Sequence, residues 1–201
     1  EIAGSKSFAS AFTFTGASIP SAAKHVNLLT AAADGMLSSD TDLVDFGLPY
    51  VYRNKLILQI AGAQDDPVGS TLTIHEGVTL QMDGALVIGG TSGTAMGNLI
   101  IAGTAAKPVV LTSTQDTPAS GDWEGLYFVG GQYDPAKSKI ANAQISYAGV
   151  SASDPLQVNY HVGRCDDFIV GAIMIDNGGD GLYDGPSISN LEVSHSLSDG
   201  I

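Results

Sequence analysis

The chain has 201 residues, enough for one domain with its own core, and 21 Asp and Glu against 8 Lys and Arg leave a formal net charge of −13. That balance excludes nucleic acid, which needs clustered Lys and Arg, and disfavours an anionic membrane surface; calcium or a neutral glycan is the compatible partner class, although solubility alone also accounts for the acidity. Only 14% of residues are charged while 44% are apolar, no run approaches the roughly 20 apolar residues of a membrane span, and a single Cys165 excludes an intrachain disulfide.

Residues 1–27 are rich in Ser, Ala and Thr, and the alternation in Phe8-Ala-Ser-Ala-Phe12-Thr-Phe14-Thr predicts one strand. Residues 28–45 are read either as a short helix, with Leu28, Leu29, Ala32 and Ala33 on one face, or as an irregular cap. From residue 50 the texture changes to short apolar runs bounded by Gly, Asn, Asp or Pro. The runs are 55–60, 71–74, 78–80, 85–88, 98–101, 109–112, 125–129, 140–145, 168–170, 172–175 and 188–193. Each has the length and β-branched content of a strand, and no helical pattern separates them, which argues against an α/β fold.

Internal repetition favours a solenoid over a sandwich. Asp180-Gly181-Leu182 and Asp199-Gly200-Ile201 lie 19 residues apart, which predicts a coil of about that length. A coil cannot bury its own inward residues and stacks on its neighbours, so the expected core is one long column.

Residues 48–148 resemble the opening coils of right-handed parallel β-helix proteins of bacterial secreted and surface type. The resemblance rests on TLTIHEGVTLQMDGALVIGG (71–90), NLIIAGTAAKPVVLTS (98–113), GDWEGLYF (121–128) and SKIANAQISYAG (138–149). It implies an all-β, right-handed parallel β-helix over 48–201, incomplete at its C-terminus, behind a capping segment at 1–47. It also implies a secreted or cell-surface location, for which the chain itself shows no export signal; one is expected upstream, if present. The architecture serves stalks, adhesins and polysaccharide-active enzymes alike, so the resemblance specifies fold and not activity. Because Asp199-Gly200-Ile201 stops where a coil strand begins, the last coil is expected to be open and covered by another chain, or cut in a fragment.

Three constellations carry candidate chemistry. Trp123, Glu124 and Tyr127, with Asp116 and Asp122 nearby, suit carbohydrate binding if the indole is exposed; within the resemblance Trp123 is a fold residue. Asp176, Asp180 and Asp184 in DNGGDGLYD offer oxygen ligands four residues apart around glycines, as a calcium loop does, and fit a plain coil turn equally. His161, Arg164, Asp166 and Asp167 beside Cys165 form a polar cluster, readable as lyase-like or as a surface loop with an ion pair. His25, His75 and His195 show no metal-ligand spacing, no catalytic residue is assigned, and no cofactor is expected apart from calcium. The expected function is a noncatalytic extracellular or cell-surface scaffold: a stalk, an adhesin or a segment that binds a polysaccharide or surface glycan. The alternative is the N-terminal part of a polysaccharide lyase or glycoside hydrolase with catalytic residues on later coils. A lyase would align Arg, Lys and carboxylates on the outer face of successive coils; a scaffold would show Ser, Thr and Asn there.

Overall fold

The computed structural model describes residues 24–28, 35–53, 57–63, 66–90, 95–149, 171–176 and 184–197. Among them there are fourteen strands, no helix, and only parallel pairings. The chain winds around three faces. Face 1 holds β1 (Val26–Asn27), β4 (Tyr50–Tyr52), β7 (Thr79–Met82) and β10 (Val109–Ser113). Face 2 holds β2 (Met36–Leu37), β5 (Ile57–Ile60), β8 (Ala85–Ile88), β11 (Gly125–Phe128) and β13 (Ile173–Ile175). Face 3 holds β3 (Thr41–Leu43), β6 (Ser70–His75) and β9 (Gly97–Ala102).

The long strands β12 (Lys139–Ser146) and β14 (Ser187–Ser194) each serve two faces. Residues 139–141 of β12 pair with β9, and residues 143–145 pair with β10. The strand therefore turns a corner at Asn142, whose φ of 50° lies in the left-handed region that a side chain rarely tolerates. Asn190 repeats this in β14 at the same φ. The amide side chains make the corner affordable: Asn142 Nδ2 donates to Gly103 O at 2.9 Å, and Asn190 Nδ2 donates to Asn142 Oδ1 at 3.0 Å. Gly103 must lack a side chain there, because a Cβ would run into the Asn142 carbonyl.

Inward residues stack in register. On face 1 Tyr50, Leu80, Leu111, Ile145 and Val193 succeed one another; on face 3 the column is Leu43, Ile74, Ile101, Ile140 and Ile188. On face 2 it is Leu37, Ile60, Ile88, Phe128 and Ile175. Most of these side chains are fully buried, each worth about 1.5–3 kcal/mol relative to exposure. At β14 the column thins: Ile188, Leu191 and Val193 are half-buried where Ile140, Ala143 and Ile145 below them are buried.

The all-β parallel solenoid agrees with the expectation, but the coil spacing differs. Paired positions in successive turns differ in spacing, from Met36 with Gln59 and Ile60 with Ile88 to Ile88 with Phe128 and Ile140 with Ile188, and none of these pairs is 19 residues apart. Loop length sets that spacing, and both Asp-Gly pairs used to infer a period lie outside the described residues. The short helix expected on Leu28, Leu29, Ala32 and Ala33 falls largely on residues outside the described ones, while the described stretch 35–45 holds β2 and β3, which find partners in β5 and β6. Among the described residues, parallel stacking is already present at Val26, where β1 pairs with β4. The expected strand at 8–15 lies outside the described residues.

Candidate functional site

Trp123 is not the exposed slab that sugar stacking requires. It is 1% exposed, it bridges to Ala148 in the next turn of the stack, and its Nε1 donates to Ser146 O at 2.8 Å. With one edge hydrogen-bonded and both faces in the core, no ring surface remains for a ligand. Asp122 is committed to the preceding loop: Oδ2 accepts from Ser113 Oγ at 2.6 Å and from Ala119 N at 2.9 Å. Tyr127 points outward on face 2 yet is 6% exposed, packed with Ile57, Ala85, Val87 and Val129 in a second apolar cluster. Glu124 is half-buried and Asp116 exposed. The trio Trp123, Glu124 and Tyr127 therefore contributes two buried side chains, which corrects its reading as an exposed sugar platform.

Asp176 and Asp184 are brought together at Tyr133, while Asp180 lies outside the described residues. Tyr133 donates from its hydroxyl to Asp184 O at 3.2 Å. Burial, and then the negative charges of Asp176 and Asp184, hold its phenol above the ordinary tyrosine pKa. His161, Arg164, Cys165, Asp166 and Asp167 also lie outside the described residues. His25 is exposed, and His75 Nε2 pairs with Asp42 Oδ1 at 2.8 Å across face 3, with both side chains open to solvent. Among the described residues no group of three or more His, Cys, Asp or Glu is placed to hold a metal. A shallow cavity lined by Asp45, Gly47, Leu48, Pro49, Gly77 and Thr79 has its one carboxylate occupied, since Asp45 Oδ1 accepts from Gly47 N at 2.7 Å.

The three faces differ sharply on their outer sides. Face 2 is apolar and buried along Gln59, Val87 and Tyr127, with the Gln59 amide turned back to donate to Gly89 O at 2.9 Å. Face 3 mixes Thr73, Ile100 and Lys139 with the His75–Asp42 pair. Face 1 is polar and open. Gln81, Thr112, Ser146 and Ser194 form one outward row, and Thr79, Val110, Gln144 and Glu192 form the other.

A model described as a pectate-lyase like beta helix domain matches residues 52–158. The chain belongs to this family. No curated protein and no solved structure matches it. The matched span runs from the end of β4 past β12, and β1–β3 and β13–β14 continue the same parallel stacking on either side of it in this pectate-lyase-like β-helix.

One element of the β-helix escaped the sequence reading although its signal was present. Ile140-Ala-Asn-Ala-Gln-Ile-Ser-Tyr147 and Ile188-Ser-Asn-Leu-Glu-Val-Ser-His195 share one octapeptide pattern 48 residues apart, identical at the Ile, Asn and Ser positions. It places the Asn corner, the inward aliphatics and the outward Gln or Glu and Ser at matching positions.

Proposed function

We propose that this chain is a noncatalytic β-helix scaffold of a secreted or cell-surface protein, with face 1 available to a polysaccharide or surface glycan. The observation that supports it most directly is the outer side of face 1. Four consecutive strand levels from β7 to β14 present Thr79, Gln81, Val110, Thr112, Gln144, Ser146, Glu192 and Ser194, with Glu192 the only charge among them, whereas Val51 at the same outward register on β4 is buried. A neutral hydroxyl and amide row has the chemistry of a solvated or glycan-contacting surface. It does not resemble the aligned bases and carboxylates that abstract and relay a proton. The buried outer side of face 2 supports the same reading, because a reacting group needs access to substrate.

The alternative, a lyase or hydrolase segment, is tested directly. The full chain is incubated with pectin, alginate and glycosaminoglycans, with and without calcium, and release of unsaturated uronate is followed by absorbance; reducing-end assays cover hydrolysis. No turnover is expected. Turnover on any substrate overturns the scaffold reading.

A further inference from the structure

We infer that the free edge of β14 is a docking site for one further parallel strand, of the pattern aliphatic-x-Asn-x-x-aliphatic-Ser, supplied by a partner polypeptide. The two ends of the stack differ. At the N-terminal end Leu37 and Leu43, the first residues of the face 2 and face 3 columns, are 7% and 3% exposed. At the other end Ile175, Ile188, Leu191 and Val193 are all half-buried, and among the described residues β14 pairs with β12 alone. Ser187 N donates to Ser138 O at 3.2 Å and Ser194 O accepts from Tyr147 N at 3.2 Å, so both serines direct their peptide groups at β12. Alternate residues of a parallel strand bond to opposite sides, which turns the N–H and C=O of Ile188 and Val193 to the free edge. The strand lacks the Lys and Pro that protect such edges from pairing.

The side chains decide which strand fits. The corner amides form a ladder with a direction: Asn142 Nδ2 donates to Gly103 O at 2.9 Å, and Asn190 Nδ2 donates to Asn142 Oδ1 at 3.0 Å. Each amide donates toward the N-terminal end and accepts from the level above. The top acceptor, Asn190 Oδ1, is exposed and has no partner among the described residues. An Asn at the same place in an added strand supplies the donor and tolerates the left-handed backbone that the corner imposes. Aliphatic residues above Ile188 and Val193 extend the columns that those two build on Ile140 and Ile145. On the outer side Gln144 Nε2 donates to Glu192 Oε2 at 3.2 Å, so a neutral or basic residue suits the place above Glu192 and an acidic one does not.

The direction of the ladder argues against a second copy as the occupant. Two chains meeting corner over corner through their β14 edges are related by a two-fold axis, with the strands antiparallel. Asn190 Oδ1 then faces an acceptor instead of a donor, and two net charges of −13 are brought together. The cover over Leu37 and Leu43 closes off head-to-tail stacking. The occupant is accordingly a strand of a different polypeptide, added by β-augmentation: backbone bonds supply affinity, and the Asn and aliphatic positions supply selectivity.

The probe is a fluorescein-labelled peptide of residues 137–148, which carries the β12 copy of the pattern and two lysines. Titrated with the full chain, it should bind saturably by anisotropy, and it should slow amide exchange at Ile188 and Val193 while leaving β7 and β8 unchanged. A scrambled peptide of the same composition should not bind. The same peptide with Asn142→Gly keeps the left-handed corner without the amide, and should bind about fivefold more weakly, the loss of one hydrogen bond. In the protein, Val193→Pro removes a free-edge N–H and should abolish binding. The peptide variants test the inference on the parent protein, so it stays falsifiable if that substitution loosens β14. Sedimentation of the chain alone should find a monomer. No binding, equal binding of the scrambled or Gly peptide, or protection that spares β14 overturns the inference. A dimer that Val193→Pro dissolves also overturns it, by making a second copy the occupant.

Discussion

The phenol of Tyr50 packs in the core against Phe46, with ring centroids 6.2 Å apart, and donates its hydroxyl to Val44 O at 3.0 Å. Burial pushes its pKa up to about 12, with Asp45 adding to the rise and the Val44 bond opposing it. The sign of the consequence follows from linkage. Above the ordinary tyrosine pKa of about 10 the unfolded chain loses a proton that the folded chain keeps, so stability is full below pH 10 and falls as pH rises toward 12. Urea unfolding between pH 8 and 12 should show that decline, accompanied by a delayed phenolate absorbance. Tyr50→Phe should make the decline shallower, leaving the share that the raised Tyr133 contributes, while costing about 1 kcal/mol at neutral pH through the lost hydrogen bond. Trp123 makes a second residue-scale prediction. Trp123→Ala should cost about 3–5 kcal/mol, as for other buried aromatics, and the native indole should fluoresce as a buried ring whose emission no glycan alters. Its local neighbours Asp122 and Glu124 made it look like a ligand platform. Its burial depends on Ser146 and Ala148 one coil later, a relation that no local window contains.

At the scale of elements, the corner in β12 concentrates several constraints on three residues. Asn142 holds a left-handed backbone, donates to Gly103 O and accepts from Asn190 Nδ2. Asn142→Ala keeps the strain of about 1–2 kcal/mol and loses both side-chain bonds, each worth about 1 kcal/mol. Asn142→Gly relieves the strain and loses only the bonds, so chemical denaturation should rank the parent most stable, Gly next and Ala last. Gly103→Ala should be at least as damaging, because the new Cβ meets the Asn142 carbonyl. The strands themselves were legible: runs such as 85–88 and 109–112 are apolar, β-branched and bounded by turn residues, and they became β8 and β10. Coil length was not, because the connecting loops vary while the strands keep register, so a solenoid with unequal loops has no fixed period to find. The two short strands within 35–45 were not legible for a related reason. β2 and β3 are two and three residues long and exist through pairing with β5 and β6 more than through their own propensity.

Across the whole molecule, stability is a sum of coil-to-coil interfaces, and each coil is only as secure as the neighbours that cover it. The middle levels are covered on both sides: Leu80, Leu111, Ile88 and Ile101 are fully buried. β14 is paired on one side to β12, and its inward Ile188, Leu191 and Val193 are half-buried. Opening β14 therefore exposes little apolar surface, whereas opening β7, β8 or β10 separates two filled layers. Amide hydrogen exchange should show a gradient along the axis, with β7, β8, β10 and β11 protected longest and β14 exchanging first. Two substitutions separate a graded stack from a single cooperative block. Leu111→Ala in the middle should cost about 2–5 kcal/mol and raise exchange in the strands on either side of it. Val193→Ala should raise exchange in β14 alone and leave β7 and β8 at the parent's rates. If Val193→Ala instead accelerated every strand equally, the coils would be unfolding as one unit.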